Sequence, residues 1–252
     1  MPRSPRNHRW TLRGAALGAA GLIGAVPRQG GAPKGGDGDG GERIAPRAAL
    51  RLLREGNRRA VGGGARGAGR AGRVGAARVG RPLATVLACV DCRVPPEELF
   101  ALGPGALLVI RTAAHTLDAM VEGSVEYGPV ELEVPLVVVL GHSGCETVAA
   151  AVRARTEGAR PPAHLAVASA RLAQACREGA RRPGDAVENT VRAQTDRVVA
   201  RLRDDPVLLP LLRRGALEVV GAHHRAETGE VEFLSDLPER SAPTPAAGPG
   251  RP

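Results

Sequence analysis

Two short apolar runs, Ala84-Thr85-Val86-Leu87-Ala88 and Pro135-Leu136-Val137-Val138-Val139-Leu140, break the otherwise mixed pattern of the chain. Both are rich in β-branched residues and bounded by turn residues, and neither alternates with polar positions. That is the pattern of strands covered on both faces, and therefore of a parallel sheet. Ala106 to Arg111, Ala216 to Ala222 and Glu230 to Leu234 predict three further strands, the last two joined at Thr228-Gly229. Helical spacing predicts helices over Pro46 to Val61, Cys145 to Thr156, Leu165 to Glu178 and Ala186 to Arg203, and Asp118 to Leu132 reads as a helix or a pair of turns. Single turns are expected at Glu97 to Ala101 and Val207 to Arg213. The first helix has Pro46 near its start and Gly62 just past its end, as start and stop signals require. Strands alternating with helices imply an α/β fold with a mostly parallel central β-sheet flanked by helices and preceded by an N-terminal helical arm.

The pattern also divides the chain. Residues 1–26 join a basic start (Arg3, Arg6, Arg9, Arg13) to an apolar run from Ala15 to Val26 that is too short to span a bilayer. This has the shape of a bacterial export signal, and His8-Arg9-Trp10-Thr11-Leu12-Arg13 resembles a twin-arginine signal with its first arginine replaced. A periplasmic or extracellular protein is expected, with an unprocessed cytoplasmic chain as the alternative, and no integral membrane segment. Residues 27–42 are a Gly-rich linker, 43–236 the folded domain, and 237–252 a Pro-, Ala- and Gly-rich tail expected to be disordered. Within the domain, 62–81 reads as a basic loop.

Composition changes this picture little. Two Phe, one Tyr and one Trp leave the core to Leu, Val and Ala. The net charge of +9 sits outside the later part of the chain, since residues 1–41, 42–82 and 83–252 carry +4, +9 and −4. No basic stripe interleaved with aromatics accompanies it, so no nucleic-acid partner is expected. Four cysteines in 252 residues do not make a disulfide framework. Cys176, in an Ala-rich helical run, reads as a small buried apolar residue.

The other three cysteines carry the chemistry. Parallel strands put their carboxyl ends side by side, where an open α/β sheet places its site. Those ends hold Cys89 and, three residues apart, His142 and Cys145. Two thiolates and an imidazole favour Zn2+, and three protein ligands leave a fourth position open, as in catalytic zinc sites. Asp91, two residues from a ligand, can accept a hydrogen bond from metal-bound water or occupy the open position itself. Arg93 decides between these if its guanidinium holds the carboxylate off the metal. If strand geometry persists through Arg93, Cys92 points away from the metal and Arg93 shares the face of Cys89 and Asp91.

Cys89-x-Asp91-x-Arg93 after one strand and His142-x-x-Cys145 after another resemble the β-class carbonic anhydrases. Gly56-Asn57-Arg58, Arg93-Val94-Pro95-Pro96-Glu97, Val109-Ile110-Arg111, Ser124-Val125-Glu126-Tyr127 and Val138 to Cys145 are similar to family segments in family order, over roughly residues 45 to 235. The resemblance implies zinc on Cys89, His142 and Cys145, Asp91 and Arg93 as catalytic residues, and reversible hydration of carbon dioxide to bicarbonate. It also implies a homodimer or dimer of dimers, with the helix Pro46 to Val61 lying across a partner. Departures are equally specific. Cys92 replaces a small residue, Glu146 a Gly, Thr112-Ala113-Ala114-His115 an Asn-Ala-Gly-Asn, and Gly80 a Gln that contacts substrate in many members. A buried Glu146 would raise the pKa of metal-bound water. His115, His164, His223 and His224 are unassigned candidates for moving protons. Two other readings stay open: a catalytically weak or inactive zinc domain of the same fold, and a Cys3His structural zinc site that also uses Cys92.

Overall fold

The computed structural model describes residues 44–63 and 81–234. The predicted export signal, the linker, Gly80 and the predicted tail lie outside the described residues. Five strands form one sheet: β1 (Ala84–Cys89), β2 (Leu107–Thr112), β3 (Leu136–His142), β4 (Glu218–His224) and β5 (Val231–Phe233), in the order β2-β1-β3-β4-β5. The first four strands are parallel and β5 runs antiparallel to β4. This is the mostly parallel α/β sheet expected from the sequence. No helix among the described residues is long and apolar enough to cross a membrane.

The apolar runs are unbroken because every position of β1 and β3 is buried. Successive side chains serve opposite layers. On one face, Val86, Ala88, Leu136, Val138 and Leu140 pack with Ala49, Leu50 and Leu53 of α1 (Pro46–Val61) and with Leu99 of α2 (Pro96–Leu99) and Phe100 just after it. On the other, Leu87, Val137 and Val139 pack with Val125 of α3 (Ala119–Glu131) and with Val198, Val199 and Leu202 of α7 (Ala186–Arg203). Each Val, Leu or Phe among them stabilises the fold by about 1.5–3 kcal/mol on full burial.

Between β3 and α7 lie α4 (Glu146–Thr156), α5 (Leu165–Arg171) and α6 (Ala173–Gly179), and α8 (Leu209–Arg213) precedes β4. The single helix predicted from Leu165 to Glu178 is thus two, divided at Leu172, which is completely buried. Side chains start two helices: the Asp118 carboxylate accepts from the N–H groups of Met120 and Val121, and Asp185 accepts from Glu188.

Helix α1 packs Ala49, Leu50 and Leu53 on the sheet and leaves Leu52 and Val61 exposed. Gly56 meets the carbonyl of Phe100 so closely that an added Cβ would lie 2.0 Å from that oxygen. Next to it, the buried Asn57 donates to the carbonyls of Leu99 (2.9 Å) and Gly229 (3.0 Å) and accepts from the N–H of Val231 (2.9 Å). One side chain therefore ties α1 to α2 and to the β4–β5 hairpin. Asn57→Asp keeps the shape but cannot donate to either carbonyl and buries a charge, so it should cost on the order of 3 kcal/mol or more in urea unfolding. Unchanged stability would show that α1 is not held this way.

Candidate metal centre

The register that pairs Ala88 with Leu140 brings the ends of β1 and β3 together, and with them Cys89 and His142. Past His142 the chain turns through Gly144, whose φ of 64° suits glycine, and starts α4 with Cys145 as its N-cap. That turn is pinned from β4: Ser143 N–H donates to the His224 carbonyl (2.9 Å), and Ser143 Oγ accepts from Ala226 N–H (2.9 Å). The outcome is a buried group in which one ligand atom each from Cys89, His142 and Cys145 lies within 4.8 Å of the other two.

Hydrogen bonds set the protonation of each donor. The Cys89 sulfur lies 3.7 Å from that of Cys145 and accepts from the N–H groups of Asp91 (3.4 Å) and Ala114 (3.2 Å). The Cys145 hydrogen bond first, then His142 and those two N–H groups, outweigh burial and lower the Cys89 thiol to about pKa 3. Cys145, sharing the proton with a buried thiolate, is pushed up. His142 Nδ1 sits 3.0 Å from the Ser143 carbonyl, which can only accept, so Nδ1 carries the proton. That leaves a lone pair on Nε2, which is buried with no hydrogen-bond partner. Burial pulls this imidazole down, and the Cys89 thiolate, the Ser143 carbonyl and Asp91 together raise it above its ordinary value.

A metal ion fits this set. Tetrahedral zinc with Zn–S bonds of about 2.3 Å separates its two sulfurs by roughly 3.8 Å, close to the 3.7 Å found here. The orphaned Nε2 would supply the third ligand, and a cation would take the place of the proton the thiols share.

The carbonic anhydrase family profile matches residues 84–231. A carbonic anhydrase of Mycolicibacterium smegmatis is 34% identical over 197 residues, 76% of this chain and 95% of the relative. This chain belongs to the β-class carbonic anhydrase family. Carbonic anhydrase 2 of Mycobacterium tuberculosis is 34% identical over 187 residues, 73% of this chain and 90% of that one. Among solved structures, the β-carbonic anhydrase CafA of Aspergillus fumigatus superposes with a TM-score of 0.54 at 25% identity, covering 63% of this chain and 77% of that one. The β-carbonic anhydrase CcaA gives 0.57 at 24% identity over 63% and 82%, a likeness of fold.

Against that family background, several expectations change. Strand geometry does not persist past Cys89: Val90 and Asp91 form a turn closed by Cys92 N–H on the Cys89 carbonyl (3.3 Å). Cys92 nevertheless stands outside the ligand group. Its buried sulfur lies 3.6 Å from the Val94 carbonyl and 3.9 Å from His224 Nδ1, and burial pushes its thiol up. The Cys3His reading therefore has no support in the geometry. Asp91, a candidate fourth ligand from the sequence, is also outside the group. Its Oδ2 accepts from the Glu146 N–H (2.7 Å) at the start of α4, where free N–H groups and the helix dipole favour a carboxylate. Arg93 is exposed, and among the described residues no ion pair within 4.0 Å joins it to Asp91. The backbone N–H of Glu146 is the donor that this structure places on the Asp91 carboxylate. Glu146 is not buried either. As the first residue of α4 its side chain is 73% exposed and points toward Arg153, 3.7 Å away, so it adds no buried charge beside the ligands.

Of the unassigned histidines, His164 is exposed and the others are buried. His223 Nε2 is 2.7 Å from Glu188 Oε1 but off the line of a hydrogen bond. Two residues that sequence reasoning missed touch the centre or its support: Ala114 through its N–H, and Thr195 through His115. The unusual Thr112 to His115 segment signalled Ala114, and nothing in the sequence signalled Thr195. Holding Ala114 and His115 in left-handed conformation costs about 1–2 kcal/mol per residue. Cys89→Ser should lose stoichiometric metal, whereas Cys92→Ser should keep it. X-ray absorption of the zinc-loaded parent should show two sulfur ligands; a third would restore Cys92 to the site.

Proposed function

We propose that this chain catalyses the reversible hydration of carbon dioxide to bicarbonate and a proton at a zinc ion held by Cys89, His142 and Cys145. The observation that carries this reading is the buried Cys2His donor set at the ends of β1 and β3, with its fourth side unclaimed by Cys92 or Asp91. Zinc bound there supplies Lewis acidity that makes a water acidic near neutral pH. Asp91, whose Oδ2 is taken by the Glu146 N–H, has its other carboxylate oxygen left to accept a hydrogen bond from a water and orient it. Ala114, Val148, Ala151, Leu172 and Val191 pack with Cys89, Cys92 and Cys145 in one buried cluster, which keeps bulk water from the back of the ligands. With Glu146 in solvent, the altered residue after Cys145 gives no reason for a silent site.

Stopped-flow hydration by zinc-loaded protein should exceed the buffer rate between pH 7 and 9. Asp91→Asn should reduce that rate about tenfold or more with zinc retained, as for a lost acid–base group. A parent rate equal to buffer would end the enzymatic reading.

The same reading includes self-association. Among the described residues, strand β2 ends the sheet with one edge unpaired and half-buried Leu108, Val109 and Ile110, while α3 beside it exposes Met120 and Tyr127. A β-carbonic anhydrase pair from Sordaria macrospora with this fold (TM-score 0.55, 22% identity, 64% of this chain and 85% of that one) is described as tetrameric. Light scattering of the zinc-loaded protein should give the mass of a dimer or a dimer of dimers; a strictly monomeric mass would count against it.

A further inference from the structure

The turn Ala113–His115 leaves the end of β2 and packs against β1, β3, α4, α5 and α7. Two consecutive residues in it, Ala114 (φ 49°) and His115 (φ 43°), are left-handed and neither is glycine. Such a conformation persists only where its surroundings impose it. Three contacts are present. Thr112 Oγ1 donates to the Thr116 carbonyl (2.9 Å), the Ala114 N–H donates to the Cys89 sulfur (3.2 Å), and His115 Nε2 lies 3.3 Å from Thr195 Oγ1 on α7.

The third contact has a definite direction. Thr195 has one hydroxyl proton and donates it to the Val191 carbonyl at 3.0 Å. Its oxygen therefore accepts from His115, whose proton sits on Nε2. Burial lowers this imidazole to about pKa 4, so it is a neutral donor. His115 is 1% exposed and Ala114 wholly buried, so neither can relax toward solvent.

We propose that His115 is a positioning residue of the metal centre: anchored on Thr195, it locks the turn so that the Ala114 N–H stays on the Cys89 sulfur and tunes it as a ligand. Glycine at 114 would adopt this turn unaided; alanine needs the anchor. The inference rests on the metal-centre reading given above.

The test compares zinc affinity at pH 7, by competition with a chromophoric chelator, and the near-ultraviolet thiolate-to-cobalt band of the Co(II)-substituted protein. Thr195→Val removes the acceptor while keeping the shape. It should weaken zinc binding about tenfold or more, the scale for losing an outer partner of a ligand. It should also move the cobalt band to lower energy, because a thiolate that loses an N–H donor gives up electron density more easily. Thr195→Ser keeps the hydroxyl and should show parent values. Adding Ala114→Gly to Thr195→Val should restore both readouts. Folded Thr195→Val with parent affinity and an unmoved band overturns the proposal, and so does a loss that Ala114→Gly fails to restore. Should Thr195→Val fail to fold, His115→Leu reads the same anchor: a red-shifted band supports it and a parent band overturns it. A parent that binds no zinc removes the metal-centre reading as well; a zinc-binding parent with insensitive variants removes only this inference.

Discussion

A fully buried thiolate is the constraint around which this molecule is arranged. Cys89 has no contact with solvent, so its charge must be met by protein groups or by a cation. Each partner arrives on a different element. The Asp91 N–H comes from the turn after β1, the Ala114 N–H from the turn after β2, and the Cys145 sulfur and His142 imidazole from β3 and the start of α4. The pairings that place β1 between β2 and β3 are what let all of them converge. A slip of one residue in either pairing would turn the set to the other face of the sheet.

Close approach of the surrounding helices depends on small residues. An added Cβ at Gly141, one residue before His142, would lie 2.8 Å from both Thr195 Oγ1 and Val191 Cγ1 of α7. At Gly128 of α3 it would lie 2.1 Å from Thr85 Oγ1 of β1. A core built from Leu, Val and Ala, with Phe100 its one fully buried aromatic among the described residues, permits such contact distances. The same closeness puts α7 near enough to support the turn after β2 through a hydroxyl. Packing and ligand geometry are therefore one problem here, since the helix that covers the sheet also steadies the backbone beside Cys89.

Much of this was legible in the residues themselves. Unbroken apolar runs can satisfy their side chains only when covered on both faces, so β1 and β3 had to be central parallel strands, and their carboxyl ends had to lie side by side. The spacing of Cys89, His142 and Cys145 then specified the donor set, because short-range geometry at a strand end leaves few arrangements. What the sequence could not determine was every contact made by backbone groups from distant segments. Asp91 is held by a helix N–H and not by Arg93, because only the packing of α4 shows which donor is nearest. Glu146 faces solvent because it begins that helix beyond the buried Cys145. Cys92 leaves the site through a turn that strand parity could not foresee. Ala114 and Thr195, 25 and 106 residues after Cys89, carry no chemistry in their side-chain types that points to a metal; only the tertiary structure brings an amide proton and a hydroxyl to the place where a buried charge needs them.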